Sequence, residues 1–202
     1  MSTRYFLVVS SLFTAALCAP SAYSGVQINL SGSAQKSTNN FEKTAAHSVA
    51  ANIGVSLGSY VSIGLTHRRS FSDTTGQKKR INAARTAYEL VDFADKTETV
   101  SNSADLTLIP YAGIVSPFIF GGVARQDYTN TFDYQYERTV SKQTLYPVPN
   151  YGGGVAIQLG QGFQLKITQT ITPGKQSYVE EGQEKTKTIQ NTYTELGLGY
   201  KL

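Results

Sequence analysis

The sequence predicts an all-β fold, a closed, antiparallel, up-and-down transmembrane β-barrel of about eight strands. Three observations carry this reading. Apolar residues recur at every second position, and the alternating segments reach about 9–11 residues, the length of a tilted strand crossing a bilayer. Short and long connections also take turns along the chain.

The chain begins differently. Residues 1–4 carry one positive charge, at Arg4, and residues 5–17 are almost uniformly apolar or small. A charged start, a short apolar run and small residues at its exit describe a secretory signal peptide. The run falls short of the roughly 20 residues of a membrane-spanning helix. Ala22 and Ser24 favour cleavage after Ser24, so residues 1–24 are expected to be a leader and 25–202 one barrel domain. Cleavage after Ala22 is the weaker choice, because Pro20 would then stand where a small flexible residue is preferred. Cys18 would mark a lipoprotein if a small residue preceded it, but Leu17 is bulky, and the thiol reads as leader filler. A mature chain without cysteine has no disulfide.

The formal charge is +4, of which the leader holds only Arg4, so the balance is too small to argue for nucleic-acid binding. There is no Trp and one Met, against 13 Tyr and 18 Gly, and the mean hydropathy is negative. The apolar residues are dispersed rather than scarce, which argues against a disordered polar chain.

They are dispersed at a period of two. Val26, Ile28 and Leu30 alternate with Gln27, Asn29 and Ser31. Val49 to Leu57, Val61 to Leu65, Ala104 to Leu108, Gly153 to Leu159, Phe163 to Ile167 and Leu196 to Leu202 repeat the pattern. Successive side chains on a strand point to opposite faces, so each segment has one apolar and one polar face. A soluble sandwich alternates as well. Here, however, the polar face is rich in Gly, Ser, Ala, Asn, Gln and Thr rather than Lys and Glu, which suits a narrow lumen better than a solvated sheet.

Gly58-Ser59, residues 110–117 and Gly160-Gln161-Gly162 are the short connections. Polar spans at about 72–98, 129–143 and 173–188, with a shorter one at 35–43, are expected as long loops on the opposite side. An even strand count leaves both chain ends on one side. Residues 84–93 are open between a strand extension, a short helix and an added hairpin. A sheet in lipid must pair every backbone group and leave no free edge, hence closure. Pro110 and Pro117 lack amide donors and are expected in a turn, where that loss is cheap.

The last segment, Thr194-Glu-Leu-Gly-Leu-Gly-Tyr-Lys-Leu202, places Leu196, Leu198, Tyr200 and Leu202 on one face. It resembles the terminal strand motif by which the bacterial barrel-assembly machinery recognises outer-membrane proteins, although that motif usually ends in Phe rather than Leu. The stretch Ile109-Pro-Tyr-Ala-Gly-Ile-Val-Ser-Pro-Phe-Ile-Phe-Gly-Gly-Val-Ala resembles the Pro-Tyr … Gly-Gly-Val hairpin of small OmpA-like and opacity-type barrels. The resemblance covers residues 25–202 as architecture. It implies a bacterial outer-membrane location, with both chain ends in the periplasm.

Some such barrels are enzymes. The lipid A deacylase family pairs a His with a Ser two residues away. His47 is followed by Ser48 and Val49, and His67 by Arg68, Arg69 and Ser70, so neither fits. Omptin proteases and outer-membrane phospholipases are longer and need further acidic or Ser/His groups. By parity both histidines point outward near the top of the barrel, as interfacial residues do. No His or Cys cluster has metal-ligand spacing, and Gly152-Gly153-Gly154 lacks the Lys of a phosphate loop. No catalytic residue, cofactor or metal is expected.

Charged residues of inward parity are more informative. Arg68, Asp105, Arg125, Lys166, Glu195 and Lys201 face the lumen in this register, with Lys166 and Glu195 on adjacent strands at similar heights. The interior of an eight-stranded barrel is only wide enough for side chains to fill it. These residues are therefore expected to form a paired network that closes the lumen, the bland alternative being contact with trapped water.

Recognition would then fall to the loops. Lys78, Lys79 and Arg80 make a basic patch, either a solvated loop or a contact for lipopolysaccharide phosphates. Tyr128, Phe132 and Tyr146 suit an interfacial girdle, while Tyr134 and Tyr136 lie further out and are candidates for binding. The expected partners are outer-membrane lipid, lipopolysaccharide, the assembly machinery and an unidentified extracellular ligand, with the barrel a monomer. The expected role is structural or adhesive. A narrow channel for small solutes and a secreted soluble β-barrel binding protein are the rivals.

Overall fold

The computed structural model describes residues 24–202 except 39–41, 82–87, 135–136, 161 and 181–182. At 24, 78–81, 88–89, 134, 137, 176–180, 183–187 and 189 the backbone alone is described. The expected leader, with Cys18, lies outside the described residues apart from Ser24.

Eight strands follow one another: β1 (Ser24–Thr38), β2 (Glu42–Leu57), β3 (Val61–Ile81), β4 (Tyr88–Leu108), β5 (Val115–Tyr134), β6 (Glu137–Gly160), β7 (Phe163–Glu180) and β8 (Gln183–Lys201). Each pairs antiparallel with its neighbour in sequence, and β1 pairs β8 from Gln27↔Lys201 to Gly32↔Leu196. That seam removes the last free edge.

The two faces separate as the period of two requires. Val49, Leu65, Ile119 and Leu198 point outward with 58–64 % of their surface exposed, while Ser48, Ser101 and Gln164 are buried inside. A soluble domain would put these faces the other way round. Near the short turns the outward aromatics Tyr60 and Tyr111 are exposed, and Phe163 packs on Tyr200 with ring centroids 4.7 Å apart. Aromatic rings gather at this level in barrels because they straddle apolar and wet surroundings. At Gly58 (φ 89°) the β2–β3 turn enters the left-handed region that only glycine adopts cheaply.

Glycine also explains a wall of the interior. Phe118 and Phe120 turn into the lumen, opposite Gly154 and Gly152 on β6. A Cβ at either glycine would collide with the ring and with a backbone oxygen of β7, Ile167 O or Gln169 O.

Two expectations are corrected here. The strands run to 15–24 residues, well beyond the apolar band. Most of each polar span read as a loop is therefore ladder: β3 continues to Ile81, carrying the backbone of Lys78, Lys79 and Arg80 opposite Val91, Leu90 and Glu89. Above the apolar band the outer face meets water and need not be apolar, so the signal of period two fades although the hydrogen-bonded pairing does not; inside, Val91 and Phe93 are still buried. Of residues 84–93, for which the sequence leaves three readings open, 88–93 take the strand extension as part of β4, and 84–87 lie outside the described residues. Pro117 lies inside β5, opposite Val155, not in the turn; β4 reaches only to Leu108↔Ile119, so β5 has a single neighbour there and tolerates a missing donor.

Candidate functional site

The lumen is where the inward residues meet. Arg68, on β3, reaches across to Glu195 on β8, with Nε 2.8 Å from Oε1 and Nη2 2.9 Å from Oε2. This two-pronged pairing matches the guanidinium fork to the carboxylate. Arg68 Nη2 also donates to Thr170 Oγ1 at 3.1 Å, and its plane lies 4.7 Å from the Tyr193 ring centroid. Glu195 accepts two more hydrogen bonds, from Ser48 Oγ to Oε1 (3.1 Å) and from Ser31 Oγ to Oε2 (3.2 Å). Only 5 % of Arg68 and 3 % of Glu195 are exposed. Five strands, β7, β8, β1, β2 and β3, thus hold one cluster at mid-height.

Asp105, on β4, has no cation within 4 Å among the described residues and is held by neutral donors instead. Ser103 Oγ and Asn150 Nδ2 each donate to it at 2.6 Å. Two arms of hydrogen bonds converge on this carboxylate. One runs from Gln164 to Asn29, on to Asn52, then to Thr66 and Asp105. The other runs from Thr172 to Asn150 and Asp105. Between them the arms travel around most of the inner wall and end on the same carboxylate. This is how a carboxylate without a cation is kept inside a barrel at tolerable cost.

Lys166, on β7, is not joined to Glu195. It lies opposite Gly197, two residues along β8, and its ammonium donates to Gln27 Oε1 at 3.3 Å while sitting 5.6 Å from the Phe118 ring centroid. Lys201 also lines the lumen near the short-turn end. Arg125, expected inward, faces out: its neighbours Ala124 and Gln126 are buried, and it lies 3.5 Å from Asp127 on the outer surface. The β5–β6 register passes from Ala124↔Val148 to Gln126↔Leu145, so the extra residue of this bulge lies on β6 while β5 keeps its alternation through Arg125. The misreading has a physical source. β5 carries apolar residues on both faces, Phe118 and Phe120 inward and Ile119 and Val123 outward, so alternation alone does not tell them apart.

Higher up, Asn191 donates to the Tyr128 hydroxyl, which donates to Gln126 Oε1, leaving the buried Gln126 Nε2 without a partner among the described residues. Ser31, Ser48, Thr170 and Tyr193 escape a reading of the sequence because small polar residues are common on every inner face and nothing local marks those that meet an ion pair.

Beneath the Arg68–Glu195 cluster the lumen widens into a chamber of about 340 Å³ that extends to the turns at Gly58-Ser59 and Ala112-Gly113. No group of three or more His, Cys, Asp or Glu residues suited to a metal occurs among the described residues. His67 bonds Asn102 at 2.8 Å and His47 stacks on Phe71, both on the outer surface. The terminal residues Leu196, Leu198, Tyr200 and Leu202 all face outward and are exposed. The side chains of Lys78, Lys79, Arg80 and Tyr134, and all of Tyr136, lie outside the described residues.

No family model matches the chain, and no curated protein matches it. Solved structures do. A major outer membrane protein from Thermus thermophilus superposes with a TM-score of 0.50 at 11 % identity, covering 89 % of this chain and 99 % of that one. The N-terminal β-barrel domain of Pseudomonas aeruginosa OprF gives 0.49 at 16 % identity, covering 89 % and 100 %. Ail, the attachment invasion locus protein of Yersinia pestis, solved in complex with the heparin analogue sucrose octasulfate, gives 0.41 at 14 % identity, covering 89 % and 97 %. Identities this low speak for fold and not for activity, and the chain has the fold of the small bacterial outer-membrane β-barrels.

Proposed function

We propose that this protein is a non-catalytic, monomeric outer-membrane barrel, exported through a cleaved leader spanning residues 1–24, whose lumen is closed. One observation supports the reading: the Arg68–Glu195 pair and its partners meet inside the barrel at mid-height from five strands. The outward apolar band supports the location, since so much exposed Val, Ile and Leu is stable in lipid and not in water. With the lumen closed, the role falls to the polar strand extensions and their tips, as a structural or adhesive surface. In this reading Lys78, Lys79 and Arg80 meet lipopolysaccharide phosphates, Tyr134 and Tyr136 meet an extracellular ligand, and Leu196, Leu198, Tyr200 and Leu202 present the assembly machinery with its signal.

The test has two parts. Membrane fractionation followed by gel mobility of unheated and boiled samples is expected to show a heat-dependent shift in the outer-membrane fraction. A soluble binding protein would appear in the periplasm or medium with no shift. Reconstitution in planar bilayers is then expected to give no large, stable single-channel current; such currents would replace the closed barrel by the narrow channel.

A further inference from the structure

For the Lys166 ammonium the lumen wall supplies a single neutral acceptor among the described residues. Glu195 is committed to Arg68, Ser31 and Ser48, and Asp105 to Ser103, Asn150 and Thr66. Against the three donors of its ammonium, Lys166 has the Gln27 oxygen at 3.3 Å and the face of Phe118, with no carboxylate within 4 Å among the described residues. It stands in the wall of the 340 Å³ chamber, which shares the residues of the ion-pair cluster as its roof and reaches the short turns at its other end. That volume is at the lower end of the roughly 300–1,000 Å³ of small-molecule pockets. The chamber's lining is mostly polar, with Phe118, Phe120, Ala156 and Ile109 among its apolar residues and the Phe118 ring 5.6 Å from the ammonium. A cation lacking a counter-charge, walled by a narrow low-dielectric barrel that focuses its field, attracts an anion.

We propose that this chamber is a binding site for a small organic anion, its charged group on the Lys166 ammonium and its apolar body against Phe118 and Phe120. The proposal rests on the closed-lumen reading only for the chamber's blind end.

The probe is sodium benzoate, titrated against the protein folded in detergent micelles, with backbone amide shifts read by NMR. Neutral benzamide and sodium chloride at equal ionic strength serve as controls. Benzoate is expected to give saturable shifts at Lys166, Phe118 and Gln27 that neither control reproduces. Lys166→Met is expected to weaken benzoate at least about tenfold, the size of one charge-assisted hydrogen bond, and Lys166→Arg to retain it. Lys166→Gln is the second variant if Lys166→Met loses its heat-dependent gel shift. Equal shifts from benzoate and benzamide, or unchanged benzoate binding in the folded Lys166 variants, would overturn the site and leave a water-filled chamber. Conductance is measured separately, so an open lumen and an empty chamber are distinct failures.

Discussion

Arg68 and Glu195, 127 residues apart in sequence, form a two-pronged ion pair inside the lumen, 2.8 Å from Nε to Oε1, joining β3 to β8. Removing one partner leaves the other charge buried and unpaired. Glu195→Gln is expected to destabilise the barrel by about 3–5 kcal/mol, and a double change of both residues to Met to recover most of that loss. Urea titrations in detergent, scored by the folded band on unheated gels, measure both. A double variant as unstable as the sum of the single ones would show that the pair is not coupled.

Arg125 provides the contrast. Its guanidinium is on the outer surface beside Asp127, so Arg125→Ala is expected to change stability by no more than about 1 kcal/mol. Single-channel recording is expected to find the variant as silent as the parent. A new current on this substitution would return Arg125 to the lumen.

The glycines of β6 and β5 differ in what lies behind them. A Cβ on Gly154 meets Ile167 O and the Phe118 ring, whereas one on Gly121 meets nothing within 4 Å. Gly154→Ala is therefore expected to cost about 1–3 kcal/mol and Gly121→Ala little. The temperature at which the gel shift occurs compares the two, and equal temperatures would contradict the packing of Phe118 over Gly154.

Position along the outer face sets the cost of a charge. Ile53 sits in the apolar band between Ile28 and Leu65, while Ala45, on the same face of β2, lies above it beside Asp73. Ile53→Arg is expected to cost about 2–4 kcal/mol in a bilayer and Ala45→Arg about 0–1. Refolding into lipid vesicles under urea gives both values; similar penalties at the two sites would remove the apolar band from the membrane.

Much of this was legible in the chain. Val49, Ile53, Leu65 and Leu198 announce their outward face, because lipid demands apolar side chains at every second position. Gly58 and Gly162 mark turns for equally local reasons. The upper halves of β3 and β4 were not legible as strand. Outside lipid neither face must be apolar, and pairs such as Gln77 with Asp92 are recognised only once the strands lie side by side. The face taken by Arg125 was hidden by a strand that carries apolar residues on both sides.

By itself the sequence determined the architecture: all-β, eight strands, apolar outside and small or polar inside, with tight turns at one end. These follow from the pairing of backbone groups and the solvent each face meets, both of which act through near neighbours in sequence. Only the closed tertiary structure decided which inward charges meet. Strand tilt and the β1–β8 seam bring Glu195 to Arg68 instead of Lys166, gather the hydrogen bonds of Asn29, Asn52, Thr66 and Asn150 on Asp105, and leave the Lys166 ammonium facing the chamber. Such choices depend on distances across the lumen, which exist only after the barrel has closed.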